Sequence, residues 1–292
     1  MFAAMTVPRT NDGVVEIAAF AHHMEFLLRC GITGFALNGA TGEYCLTSPQ
    51  ELGEMLRKAR ELGGADVTLL SGIGGAGFHQ VSRLLETAQA SGADGLLLPM
   101  PHFFPYGQGD LDTFVREVAQ HASLPVLLYD LPGFTTPLNS ETVLRLVQEL
   151  PQIIGLKDSS GSLLTLHRLK ASVPGANCVV GNDSALFGAL SESVCDGVVS
   201  GVACVLPELM QAFYREARTA PHSDNALALK GHLDRFIEWL GQFPVPWGLK
   251  IIAEERRLSA ADFPFPLSPE STRARSQFIE WFRASKPDLM IE

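Results

Sequence analysis

The sequence predicts an α/β protein, a (β/α)8 TIM barrel followed by a C-terminal three-helix extension. Three observations lead there. Short apolar runs recur at spacings of about 20–32 residues, each followed by a helical pattern, which implies parallel strands joined by helical crossovers. The runs are continuously apolar rather than alternating, as strands buried on both faces should be. There are eight of them, the number that closes a barrel with its active site at the C-terminal strand ends. An open doubly wound sheet is the rival arrangement.

Residues 3–7 read as the first strand and 14–30 as the first helix, with Asn11-Asp12-Gly13 turning between them. Residues 35–38 form the second strand. The loop Gly39-Ala40-Thr41-Gly42-Glu43 follows, then a helix over 49–62. Ser48 stands as its N-cap and Pro49 in its first turn. The third strand is 67–71 with a helix over 79–91. The fourth is 95–98, with a long loop over 99–109 and a helix to His121. The fifth is 125–129 with a helix over 139–150, and the sixth is 153–157. Residues 178–180 and 198–200 are the seventh and eighth strands, each with a short helix after it. The barrel is assigned to 1–222. Residues 223–292 form an extension packed on it, with helices over 226–240, 246–257 and 268–285. Pro244, Pro246, Pro264 and Pro266 punctuate these helices.

The 292 residues are 46% apolar and 18% charged, with mean hydropathy +0.14, a composition able to bury a sizeable core. A net charge of −10 argues against nucleic acid or an anionic membrane as partner. The cysteines at 30, 45, 178, 195 and 204 form no CxxC pair and no metal spacing, and read as reduced thiols of a cytoplasmic protein. The N-terminus lacks the pattern of a signal peptide, and no run is long and apolar enough to span a membrane.

The sixth strand ends in a residue that could carry chemistry. Ile153-Ile154-Gly155-Leu156-Lys157-Asp158 is an apolar run ending in a lysine, and Ser159-Ser160-Gly161 reads as the loop leaving it. Desolvation favours the neutral amine of a buried lysine, and a neutral amine can form a Schiff base with a carbonyl substrate. The plainer reading is a lysine reaching solvent or pairing with Asp158. Tyr129 ends the preceding strand. It reads either as a proton shuttle across the barrel mouth or as a rim tyrosine with its hydroxyl satisfied. Residues 39–43 offer backbone N–H groups to a carboxylate, or form an ordinary tight turn. Gly72-Ile73-Gly74-Gly75-Ala76-Gly77 matches GxGxxG, but the next strand ends in Pro99-Met100 with no acid to hold a ribose, so it is not read as a dinucleotide site. The eight histidines show no ligand spacing, and His22 and His23 are expected at the surface.

Taken together, these strand ends resemble the pyruvate-dependent class I aldolases, nearly end to end. That family contains N-acetylneuraminate lyase, 2-keto-3-deoxy sugar-acid aldolases and dehydratases, and 4-hydroxy-tetrahydrodipicolinate synthase. Residues 3–13 (AAMTVPRTNDG) resemble its opening strand and turn, and Gly39-Ala40-Thr41-Gly42-Glu43 its GTTGE or GSTGE loop. Tyr129-Asp130-Leu131-Pro132 is similar to YNxP, residues 153–161 to the segment bearing the Schiff-base lysine, and Pro244-Val245-Pro246-Trp247-Gly248-Leu249-Lys250 to the start of a C-terminal helix.

The resemblance implies Lys157 as nucleophile and Tyr129 as acid/base. It implies that the Ala40 and Thr41 N–H groups and the Thr41 hydroxyl hold the keto-acid carboxylate. Asp183 and the backbone of Val199, Ser200 and Gly201 would meet substrate hydroxyls. It implies no metal and no organic cofactor, a small 2-keto acid (pyruvate or a sugar acid) as partner, and a homotetramer. Three positions depart from the synthase pattern: Ala40 replaces a relay hydroxyl, Phe103 a tyrosine, and Phe134 an arginine for a second substrate carboxylate. The expected activity is therefore aldol cleavage of a 2-keto-3-deoxy sugar acid. The alternatives are a dehydratase of such acids, the synthase, or, in another class, a non-catalytic keto-acid sensor.

Overall fold

A computed structural model describes residues 1–290 of the chain. Eight parallel strands close into a barrel in sequence order, β8 pairing with β1. The strands are β1 (Phe2–Ala4), β2 (Gly34–Leu37), β3 (Thr68–Gly72), β4 (Gly95–Pro99), β5 (Val126–Asp130), β6 (Ile153–Asp158), β7 (Asn177–Val180) and β8 (Gly197–Ser200). The expected (β/α)8 barrel is present, and closure excludes the open sheet. Helices α1 (Ile17–Arg29), α2 (Pro49–Gly63), α3 (Phe78–Ala90), α4 (Gln108–His121), α5 (Ser140–Glu149), α6 (Leu164–Ser172), α7 (Leu186–Ser191) and α8 (Pro207–Thr219) form the crossovers. The extension is α9 (Asp224–Leu240), α10 (Trp247–Glu255) and α11 (Pro269–Leu289).

Local signals act where the sequence places them. Ser48 accepts the Glu51 N–H and Glu51 reaches back to Ser48, a complete capping box with Pro49 in the first turn of α2. Ser223 and Ser268 cap α9 and α11. The first helix starts later than expected. Residues 14–16 fold back on 8–10 instead, with Val15 bridging Arg9 and the Glu16 N–H on the Pro8 carbonyl at 2.9 Å. The first strand is correspondingly shorter, and the helix after the eighth strand has 13 residues and is not short. His23 is fully buried on α1, bonded to the Cys204 carbonyl at 2.7 Å, and not at the surface.

Apolar side chains form two layers. An inner cluster fills the barrel, including Ala4, Ala36, Leu70, Leu97, Leu127, Tyr129, Val179 and Val199. A larger one lies between strands and helices and takes in Leu233, Phe236, Ile251 and Phe278 of the extension. Trp239 of α9 stacks on Phe278 of α11 at 5.5 Å, tying the extension together.

One irregularity in the ladder positions the site. Val126 pairs with Ile153, but Leu127 pairs with Gly155, so Ile154 is an extra residue in β6. Beyond this bulge Tyr129 pairs with Lys157 and Asp130 with Asp158. Without it, Leu156 would stand beside Tyr129 and Lys157 would face the helices, because a one-residue slip exchanges the faces of a strand. Gly155 permits the bulge: a Cβ there would lie 2.1 Å from the Asn177 carbonyl oxygen.

Candidate active site

The bulge turns Lys157 into the barrel mouth, where it is 3% exposed. Its Nζ lies 3.7 Å from the centre of the Tyr129 ring. Lys157 takes part in no ion pair among the described residues. Asp158, the partner considered from sequence, faces outward and accepts the Ser160 N–H at 2.8 Å. The Lys157 stem runs over Gly181, where a Cβ would come within 2.7 Å of its Cε and 2.2 Å of Ser159 Oγ. The glycine that opens the Gly181-Asn182-Asp183 loop is thus the floor on which the lysine rests.

The loop after β2 leaves the strand through Asn38 and ends at Glu43, both with left-handed backbone (φ 57° and 51°). Gly42 and Tyr44 donate to the Gly39 carbonyl and Glu43 to that of Ala40, at 3.0–3.2 Å. The N–H groups of Ala40 and Thr41 have no hydrogen-bond partner among the described residues. Free backbone donors in such a turn make an anion cradle. The glycine-rich run after β3 serves packing. A Cβ on Gly72 would lie 1.9 Å from the Asn38 carbonyl oxygen, and one on Gly74 2.5 Å from the Tyr44 ring.

Gly201, Thr41 and Asp183 converge at one edge of the mouth. A Cβ on Gly201 would lie 3.6 Å from Thr41 Oγ1 and 4.0 Å from Asp183 Oδ2. Asp183 accepts the Val202 N–H at 3.1 Å. Burial pushes its carboxyl above the ordinary aspartate range, against the pull of Ser200, the Val202 and Gly201 N–H groups and the Lys157 charge. Val199 lines the same wall, with its side chain packed in the inner cluster. Among the described residues no three histidine, cysteine, aspartate or glutamate side chains gather as a metal site.

Two features were not assigned from sequence. Lys250, 1% exposed on α10, binds Glu43 at 2.5 Å and Asp262 at 2.7 Å, latching the loop after β2 to the extension. Its position in the Pro244–Lys250 motif was the available signal. Tyr44, directly after that loop, is buried against Tyr129 in the inner cluster and lies edge-on to His102 at 5.6 Å. Burial, reinforced by Cys45 and Tyr129, pushes its phenol up.

A family profile described as Dihydrodipicolinate synthetase family matches residues 1–284. The chain belongs to this family. Within the dihydrodipicolinate synthetase family, it is 34% identical over 210 residues to 4-hydroxy-tetrahydrodipicolinate synthase 1 of Streptomyces coelicolor, covering 72% of this chain and 68% of that protein. It is 30% identical over 274 residues to the synthase of Thiobacillus denitrificans, covering 92% and 90%. The crystal structure of the dihydrodipicolinate synthase of Acinetobacter baumannii complexed with pyruvate superposes with TM-score 0.88, 24% identity and 99% and 98% coverage, a likeness of fold. Family membership makes the chain an enzyme of the class I aldolase and lyase type.

Proposed function

We propose that the protein is a Schiff-base aldolase of 2-keto acids with Lys157 as nucleophile. The observation that carries this reading is a buried lysine without an ionic partner among the described residues, 3.7 Å from the ring of a tyrosine on the neighbouring strand. The Ala40 and Thr41 N–H groups and the Thr41 hydroxyl hold the carboxylate. The Lys157 amine adds to the keto carbonyl, and the departing hydroxyl takes a proton from Tyr129 and leaves as water. The Tyr129 phenolate then removes a proton from the adjacent methyl group, giving an enamine. In the condensing direction the enamine carbon forms a bond to an aldehyde carbon, whose oxygen takes the proton back from Tyr129. Water hydrolyses the resulting imine, restoring amine and phenol. Cleavage is the reverse. The protonated imine is the electron sink, and the scheme needs no metal or organic cofactor.

For the aldehyde half, the expected reading is cleavage of a 2-keto-3-deoxy sugar acid, with Asp183 and the backbone of Val199 and Gly201 meeting its hydroxyls. The relatives' names favour a second reading, the synthase reaction with aspartate semialdehyde. Against it stands Phe134, which offers no cation to that substrate's own carboxylate. Losing one charge-assisted bond costs on the order of 1.5–3 kcal/mol. We further propose a homotetramer acting in the cytoplasm. Assaying both reactions on one preparation tests the assignment. We expect pyruvate release from a keto-deoxy acid. Condensation with aspartate semialdehyde at a kcat/KM of about 10⁴ M⁻¹s⁻¹ or above, with no cleavage of any such acid, makes the synthase the right reading.

A further inference from the structure

Tyr129 works from a nearly dry position. It is 3% exposed, packed in the inner cluster, with Lys157 Nζ over its ring. In the scheme above its hydroxyl gives up a proton, becomes a phenolate and takes a proton back. A phenolate with so little water around it needs a hydrogen-bond donor, because an unpaired buried charge is costly. The side chain of Ala40 offers none. The side-chain hydroxyl packed in the same cluster is that of Tyr44. Gly74 makes room for it: a Cβ there would lie 2.5 Å from the Tyr44 ring and 2.7 Å from Pro99, the strand partner of Tyr129. Burial, Cys45 and Tyr129 all push the Tyr44 phenol up, so it stays protonated and able to donate. His102 stands behind Tyr44, edge-on, with ring centres 5.6 Å apart. The loops hold it there, its N–H on the Gly75 carbonyl at 3.4 Å and its backbone bridging to Thr135. Its Nδ1 is buried without a partner among the described residues. Burial also lowers the basicity of the ring, which leaves one nitrogen to donate and one to accept. Tyr44 and His102 both line a cavity of about 430 Å³.

We infer that Tyr44, backed by His102, carries protons between Tyr129 and solvent. The inference rests on the Schiff-base reading above and adds two residues to its proton path. Tyr44 acts through Tyr129, as a positioning and relay residue, and does not touch the substrate. The two hydroxyls share no direct hydrogen bond among the described residues, so one water bridges them. When Tyr129 is a phenolate, the bridging water gives it a proton and takes one from the Tyr44 hydroxyl. Tyr44 recovers its proton from one nitrogen of His102, and the other nitrogen takes one from an acid in the solvent of the cavity. The reverse sequence carries a proton out and resets the ring. Glu43, the carboxylate in the same lining, is held by Lys250 and takes no part.

The test follows exchange of the pyruvate methyl protons for deuterium in D₂O, by NMR, beside borohydride trapping of the Lys157 adduct. Exchange requires that the proton Tyr129 takes from the methyl group be swapped with solvent before it returns. Trapping requires only the imine. Tyr44→Phe keeps the ring and removes the hydroxyl. We expect it to trap pyruvate as the unaltered protein does and to slow exchange by about tenfold or more. His102→Gln should trap normally and slow exchange by about threefold or more. In both variants exchange should speed up as imidazole buffer is raised at constant pH and ionic strength, because a small acid in the cavity replaces the lost carrier. The unaltered protein should not respond to the buffer. A merely structural role for Tyr44 would give no such rescue. Exchange at the unaltered rate in Tyr44→Phe, or slowed exchange in it that no buffer restores, overturns the inference and leaves the Schiff-base reading standing. Loss of the adduct in Tyr44→Phe assigns that residue to the structure of the site and also overturns it. Absence of the adduct from the unaltered protein overturns both.

Discussion

Two lysines are almost fully buried, and their surroundings give them opposite tasks. Lys250 pairs with both Glu43 and Asp262, so its removal strands two carboxylates. Lys250→Met should cost about 3–5 kcal/mol in urea unfolding. It should also raise KM for the keto acid more than it lowers kcat, because Glu43 ends the loop that carries Ala40 and Thr41. Lys157 has no such tie among the described residues. Beside it, Asp130 is held by burial at about 6, above its ordinary 3.8, with the Leu138 N–H opposing and the Asp158 charge adding. A carboxyl with a raised folded-state value binds its proton more tightly folded than unfolded. Its contribution to stability is therefore greatest below about pH 4 and is lost as the pH rises through 6. Asp130→Asn keeps the acceptor for Leu138 and removes the charge. It should gain on the order of 3 kcal/mol at pH 8 and little at pH 4, read from urea midpoints. Lys157 and Tyr129 were legible because each ends an apolar run. The Lys250 latch was not, since its partners lie in two separate loops, one of them near the opposite end of the chain.

At the scale of the element, β6 decides which way the lysine points. Eight strand–helix units were legible from apolar period and spacing, and seven of the eight strands fall within about two residues of their expected bounds. The bulge at Ile154 was not. A strand buried on both faces carries no polar–apolar alternation, so a residue inserted into it leaves no trace in the pattern. The capped helices fared better, because Ser48 and Pro49 act within one turn. Gly155 carries the prediction here. Gly155→Ala drives a methyl group into the Asn177 carbonyl and must displace β6 from β7. We expect a loss of about 1–3 kcal/mol in stability and a fall of at least about a hundredfold in pyruvate trapping. Full trapping in a destabilised variant would show that the bulge does not aim the lysine.

For the whole molecule, the loop after β4 presents Phe103 at 82% and Phe104 at 59% exposure. Two exposed aromatics packed edge to face are costly on a monomer and fit a subunit contact. Sedimentation at micromolar concentration should return about four times the 31.6 kDa chain mass. Replacing both with serine should lower that mass. The barrel, the latch and the bulge all serve one claim, that Lys157 forms the covalent bond to substrate. The most direct test is borohydride reduction in the presence of pyruvate, followed by mass mapping of the peptides. The account predicts one reduced pyruvate adduct, on Lys157, absent from Lys157→Ala. An adduct on Lys250 or Lys170, or equal labelling of Lys157→Ala, would contradict it.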